Sequence, residues 1–292
     1  MAGTETLEFC SADGLRLVAD AAGPTDGPPV VLMHGGGQTR NAWGRALQVL
    51  GSQGWRAIAL DARGHGESDW ASDGDYGMDR MRDDLCTVVK TLRAPPVLVG
   101  ASMGGNTALV AEADAPGLAR ALVLVDVVPQ LETEGVQRII DFMTARPDGF
   151  ASLEEAADAV AAYTPERPRP RDPQGLAKNL RRAPDGRWHW HWDPRFMLID
   201  AVQRNARIEA IKLRMAAAAR RVRVPALLVR GTHSDVVSAG GAAALQALMP
   251  QLETADVAGA GHMVAGDRND HFSAAMLGFL RRHAPLAKAG GG

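Results

Sequence analysis

The fold class predicted by the sequence is a doubly wound, mostly parallel α/β sheet, and three observations predict it. Short apolar runs alternate with amphipathic, Ala-rich stretches along most of the chain. The runs VLVG, ALVLVDVV and ALLVR are apolar without alternation, as strands covered on both faces must be. Strand-like and helix-like stretches then follow one another, the order that right-handed βαβ connections build.

Taken in order, residues 6–9 and 15–19 flank an Ala-Asp-Gly turn and read as a hairpin. Further strands are expected over 29–33, 55–60, 96–100, 121–128, 225–230 and, more weakly, 253–258. Helices are expected over 41–53, 78–92, 103–114 and 242–248. The alternation stops at residues 129–221, which hold no buried-strand run and contain the proline-dense TPERPRPRDP. A mainly helical insertion after the sixth strand is expected there, with the prolines in an irregular connection inside it. The core is therefore assigned to 1–128 and 222–292, and the insertion to 129–221.

Composition narrows the class. The 292 residues are 46% hydrophobic and 23% charged, which is ordinary for a globular protein. Thirty-two Lys and Arg stand against thirty-four Asp and Glu, a formal charge of -2, so the basic excess of a nucleic-acid or anionic-membrane binder is missing. Cys10 and Cys86 are far apart, which argues against a disulfide framework or a zinc site. No secretory signal or apolar run of membrane-spanning length is visible, so a cytoplasmic protein without nucleic-acid or membrane partners is expected.

Chemistry enters at Gly100-Ala-Ser102-Met-Gly104, between the strand PPVLVG and the helical stretch GGNTALVAEA. A sharp strand-to-helix turn strains the backbone at its central residue and brings neighbouring backbone too close for side chains two positions away. It lifts the Ser102 hydroxyl above the sheet edge, over the positive end of the next helix. A serine hydroxyl needs a base, and the base an orienting acid. His262 follows the last strand-like segment directly and is the expected base. Asp235, in Gly231-Thr-His-Ser-Asp235 after the strand PALLVR, is the preferred acid. Asp126, near the end of ALVLVDVV, is a second and lower-ranked candidate that would also reach His262.

Five motifs in order, each at a strand end, resemble the cap-bearing branch of the α/β-hydrolase superfamily. They are His34-Gly35-Gly36-Gly37, Asp61-Ala-Arg63-Gly64-His65-Gly66-Glu-Ser68, the serine turn, the segment ending at Asp235, and Gly261-His262. The branch includes serine esterases, carbon–carbon bond hydrolases, cofactor-free haloperoxidases, haloalkane dehalogenases and epoxide hydrolases. The resemblance implies an oxyanion hole from the backbone N–H groups of Gly36 and Met103. It implies a structural role for Asp61, Arg63 and Ser68, which tie neighbouring loops together. Dehalogenases and epoxide hydrolases of this fold resemble one another in an aspartate nucleophile; serine here favours acyl transfer instead. No cofactor or metal is expected.

In the insertion, Trp188, Trp190 and Trp192 alternate with His189 and His191. An extended segment would put the three rings on one face. They either wall the pocket mouth or anchor the insertion on the core. Gly37, Trp190 and Trp192 are the candidate substrate contacts. The expected function is a serine hydrolase acting on an apolar or aromatic carboxylic ester or lactone. Carbon–carbon hydrolysis and perhydrolysis remain alternatives on the same triad, and a low-turnover ligand receptor is a third reading.

Overall fold

The structure, a computed structural model, describes residues 3–165, 169, 171–197, 200–262 and 270–286. Eight strands form one sheet in the order β1-β2-β4-β3-β5-β6-β9-β10. They are β1 (Glu5–Cys10), β2 (Arg16–Ala22), β3 (Pro29–Met33), β4 (Arg56–Leu60), β5 (Val97–Ala101), β6 (Ala121–Val125), β9 (Ala226–Gly231) and β10 (Leu252–Val257). β1 and β2 pair antiparallel, β2 lies antiparallel to β4, and every other pairing is parallel. This is the mostly parallel α/β fold that the apolar runs predict.

Those runs lack alternation because both faces are covered. Val31 and Met33 of β3 enter one core cluster while Val30 and Leu32 enter another, and all four are buried. The first cluster holds α2 (Met78–Lys90), α3 (Met103–Asp114) and α7 (Ala239–Leu248); the second holds α1 (Gly44–Ser52) and α8 (Asp270–His283). Each fully buried Val, Leu or Ile contributes about 1.5–3 kcal/mol, so the two layers together hold the sheet.

Between β6 and β9 the chain forms α4 (Thr133–Thr144), α5 (Leu153–Tyr163), a two-stranded ribbon of β7 (Leu180–Arg182) and β8 (Trp188–Trp190), and α6 (Ala201–Arg221). The insertion is mainly helical, with a small antiparallel ribbon that its sequence does not announce. At the C-terminal end of α6, Met215, Ala218, Ala219 and Val222 are buried in the cluster that contains α3. That end belongs to the helical layer on the sheet. Among the described residues no helix is long and apolar enough to cross a membrane.

Candidate active site

Ser102 stands between β5 and α3 with φ 46° and ψ −113°. Its N–H donates to Val125 O at 3.1 Å, and its own carbonyl accepts from Asn106 N–H at 2.9 Å. Two glycines make this turn possible. A Cβ on Gly100 would lie 2.4 Å from the backbone of Gly104, and one on Gly104 would lie 2.5 Å from Met33 O. No side chain fits either place.

The neighbouring strand repeats the device. β6 stops at Val125, earlier than the run of apolar residues suggests, because Asp126 turns away with φ 53°. Ala101 and Val125 are register partners, so Ser102 and Asp126 are the first residues past adjacent parallel strands. The Asp126 carboxylate is fully buried. Its Oδ2 lies 2.7 Å from His262 Nδ1. The hydroxyl of Ser234 donates to the same oxygen, and Gly231 N–H reaches Oδ1 at 3.4 Å. An ionised carboxylate only accepts, so His262 carries its proton on Nδ1 and leaves the Nε2 lone pair free to take a proton.

The acid expected at Asp235 is corrected by this geometry. Asp235 lies about one-third exposed, with Oδ2 3.2 Å from Arg138 Nη1 of α4, and the carboxylate against His262 is that of Asp126. The reason lies in the loop after β9. Ser234 turns inward to Asp126, Val236 and Val237 are buried, and Asp235 between them faces the insertion. Five residues past the strand, His262 is held by a turn in which His233 N–H donates to Ala260 O at 2.9 Å.

The turn after β3 adjoins Ser102, since a Cβ on Gly35 would lie 3.5 Å from Ser102 Cβ. Gly35 N–H donates to Gln38 Oε1 at 3.0 Å and Gly37 N–H to His65 Nε2 at 3.2 Å. Gly36 N–H, between them, has no acceptor among the described residues. Met103 is the first residue of α3, and its Sδ lies 4.0 Å from where a Gly36 Cβ would be.

Two buried histidines brace this turn. His34 Nε2 accepts from Ala62 N–H at 3.0 Å, which leaves Nδ1 to donate to Gly35 O at 2.8 Å. His65 Nε2 accepts from Gly37, so its Nδ1 donates to Arg63 O at 3.1 Å. Burial pushes the His34 imidazolium down to about 4; burial, with His34 beside it, pushes His65 down to about 3. Both rings are neutral acceptors at neutral pH.

The loop of Asp61, Arg63 and Ser68 is a set of ties. Buried Asp61 accepts from Arg40 N–H at 2.6 Å, from the Arg40 guanidinium and from Glu67 N–H at 3.0 Å. Arg63 is bidentate to Asp84 at 2.7 and 2.6 Å and also meets Asp13. The Arg63 guanidinium in turn holds the Asp13 carboxyl down to about 2. Ser68 Oγ donates to Asp61 O and accepts from Val18 N–H.

The tryptophans divide. Trp188 and Trp190 pack against Phe150, Leu153 and Leu180 inside the insertion. Trp192 is buried, stacks on Trp190 at 5.1 Å and 10°, and forms a bridge with His65. Its Cζ3 lies 3.5 Å from a Cβ placed on Gly37. Trp192 therefore both anchors the insertion and reaches the turn, with Trp190 behind it. His191 Nδ1 bonds Gly66 O at 2.7 Å while the His189 ring lies against Gly149, so the pair does not converge on one point.

Two further side chains escaped the sequence. Phe196 Cε1 lies 3.5 Å from a Cβ on Gly36, and Met143 Cε lies 2.9 Å from one on Gly37. Phe196 sits on a single helical turn, Pro194–Phe196, whose preceding Asp193 is buried and accepts from Tyr76 O–H and the Arg195 guanidinium. The segment Asp193-Pro-Arg has the capping signal of a turn, but nothing in it names the loop it covers.

The sequence model of the alpha/beta hydrolase fold matches residues 28–268. The chain belongs to the α/β-hydrolase family. Within that family, an esterase of Mycobacterium tuberculosis is 35% identical over 173 residues, covering 57% of this chain and 57% of its own length. The 2-(acetamidomethylene)succinate hydrolase of Mesorhizobium japonicum is 32% identical over 238 residues, covering 81% of this chain and 82% of its own. The crystal structure of E-2-(acetamidomethylene)succinate hydrolase superposes with a TM-score of 0.82 at 26% identity, over 95% of this chain and 99% of that one. An α/β-hydrolase from Novosphingobium aromaticivorans gives 0.78 at 25% identity, over 97% and 99%.

Proposed function

We propose that this α/β-hydrolase is a serine hydrolase that cleaves carboxylic esters or lactones with an apolar group. The observation that carries the reading is the buried Asp126 carboxylate 2.7 Å from His262, at the end of the strand next to the strained Ser102 turn. His262 Nε2 takes the Ser102 proton as Oγ attacks the substrate carbonyl. Asp126 holds the imidazole in the required tautomer and faces the positive charge that forms on it. The N–H groups of Gly36 and Met103 receive the oxyanion of the tetrahedral intermediate, a contribution of several kcal/mol for such donors. The intermediate collapses as His262 returns the proton to the leaving oxygen. Water, activated by the same His262, then hydrolyses the acyl-enzyme. Phe196, Met143, Trp192 and Met103 make an apolar surround for the oxyanion turn, which supports an apolar acyl or alkyl group.

One comparison favours a second reading. The relative covering 81% of this chain is named as a hydrolase of 2-(acetamidomethylene)succinate, not as an esterase. On that reading the same triad attacks a carbonyl compound with another leaving group, as carbon–carbon hydrolysis also would.

The test is hydrolysis of p-nitrophenyl esters from acetate to decanoate, with fluorophosphonate labelling beside it. Ser102→Ala is expected to lower kcat on the order of 10⁵-fold or more and to abolish labelling. Labelling of Ser102 without turnover of any ester directs the assay to non-ester carbonyl substrates. Ester turnover that survives Ser102→Ala overturns the serine mechanism.

A further inference from the structure

We propose that Ser234 is a positioning residue of the triad: its hydroxyl fixes the Asp126 carboxylate and so sets how strongly His262 activates Ser102. The inference rests on the proposed serine mechanism and adds a fourth side chain to it.

The direction of the Ser234 proton follows from counting. A serine hydroxyl has one proton and two acceptor positions. Val236 N–H and Val237 N–H donate to Ser234 Oγ at 3.2 and 3.1 Å, which fills both acceptor positions. The one proton is left for Asp126 Oδ2, the oxygen that also meets His262 Nδ1. The carboxylate has little else to hold it. Gly231 N–H reaches Oδ1 at 3.4 Å, near the outer limit of a hydrogen bond. Asp126 also sits at φ 53°, a backbone angle that L residues rarely adopt and that the surrounding contacts must hold. Without the Ser234 proton, Oδ2 keeps, among the described residues, only the histidine it is meant to orient.

Location supports the role. Ser234 lies in the loop after β9, where the sequence pattern places an acid at Asp235. The carboxylate comes instead from the end of β6, and the β9 loop supplies a hydroxyl that reaches it. Two loops thus cooperate, one bringing the charge and the other fixing its direction. The same hydroxyl caps the turn through Val236 and Val237, so loop shape and carboxylate orientation depend on one atom.

The readout is the rate at which a fluorophosphonate labels Ser102, because it reports nucleophile activation without requiring the natural substrate. Ser234→Ala is expected to slow labelling about 10-fold or more, the scale of one lost bond to a charged group. On any ester that the parent turns over, kcat falls similarly while KM stays within about two-fold. Ser234→Thr keeps a hydroxyl with the same proton and is expected to restore most of the rate. Ser234→Ala labelling at the parent rate in folded protein overturns the inference. So does an equal loss in both variants, because it places the effect in the shape of the loop and not in the hydroxyl. Failure of the serine mechanism looks different: the unsubstituted protein itself does not label.

Discussion

At the scale of single residues the acid decides most. Asp126 is buried and bonded to His262, whereas Asp235 is part-exposed and paired with Arg138. Replacing Asp126 by Asn removes the charge facing the imidazolium and favours the wrong tautomer of His262, so kcat is expected to fall on the order of 10⁴-fold. Asp235→Asn breaks an ion pair that water already screens, and kcat is expected to stay within about three-fold. Steady-state kinetics of the two variants on one ester checks both, and a larger loss from Asp235→Asn reverses the assignment of the acid. The sequence singled out Ser102 and His262 because each follows a strand in a distinctive local pattern. It left the acid ambiguous for a physical reason. Both carboxylates lie past strand ends on the same edge, and only the side-chain direction after each strand separates them. That direction depends on φ 53° at Asp126 and on the inward turn of Ser234, neither of which has a local signal.

At the scale of elements, a single helical turn lies over the glycine turn after β3. Pro194–Phe196 is pinned to the core at three points. Arg195 donates to Ala71 O and Ser72 O at 2.8 and 3.0 Å, Tyr76 O–H donates to Asp193, and Asp193 N–H donates to Gly64 O at 2.8 Å. Burial and the bond to Asp193 push the Tyr76 phenol up, so it remains a donor throughout the working range. The pinned turn puts the Phe196 ring over Gly36 and edge-on to His65 at 5.0 Å. Phe196→Ala is therefore expected to open this space and leave Ser102, His262 and Asp126 untouched. The p-nitrophenyl ester optimum should move to longer chains by roughly two to four carbons, with fluorophosphonate labelling preserved, because each further methylene buried in the opened space contributes about 0.8 kcal/mol. An unchanged optimum places the substrate elsewhere. The strands were readable because apolar runs mark burial on two sides. This turn was not, because its placement depends on pairings with Gly64, Ala71 and Tyr76, more than a hundred residues earlier in the chain.

At the scale of the whole molecule, sheet, loops and insertion meet at two neutral histidines. His34 joins the β3 turn to the loop after β4 through Ala62, and His65 joins that loop back to Gly37 while contacting Phe196 and Trp192 of the insertion. Each acts as an acceptor only while unprotonated. Their folded-state values, about 4 and about 3, lie below the 6.5 of an unfolded histidine. Between about pH 6.5 and those values the unfolded chain therefore binds more protons than the folded one. Stability rises with pH across that window and is lost on acidification, by up to about 1.4 kcal/mol per pH unit for each histidine. Asp84 and Glu112 have the opposite sign, because burial raises their carboxyls and native protonation offsets part of the loss. The histidine contribution is isolated by difference. The melting temperature of the unsubstituted protein is expected to fall between pH 6.5 and pH 4.5, and His65→Gln should show a shallower fall over the same interval, since one titrating group is gone. Equal slopes would mean that His65 does not set the acid sensitivity of the junction. The same substitution loosens Gly37, so turnover at pH 7.5 of any ester that the unsubstituted protein cleaves should decline in His65→Gln while His262 is unaltered. That pairing of a flatter stability profile with weaker turnover is what a structural link between the insertion and the Gly35–Gly37 turn requires.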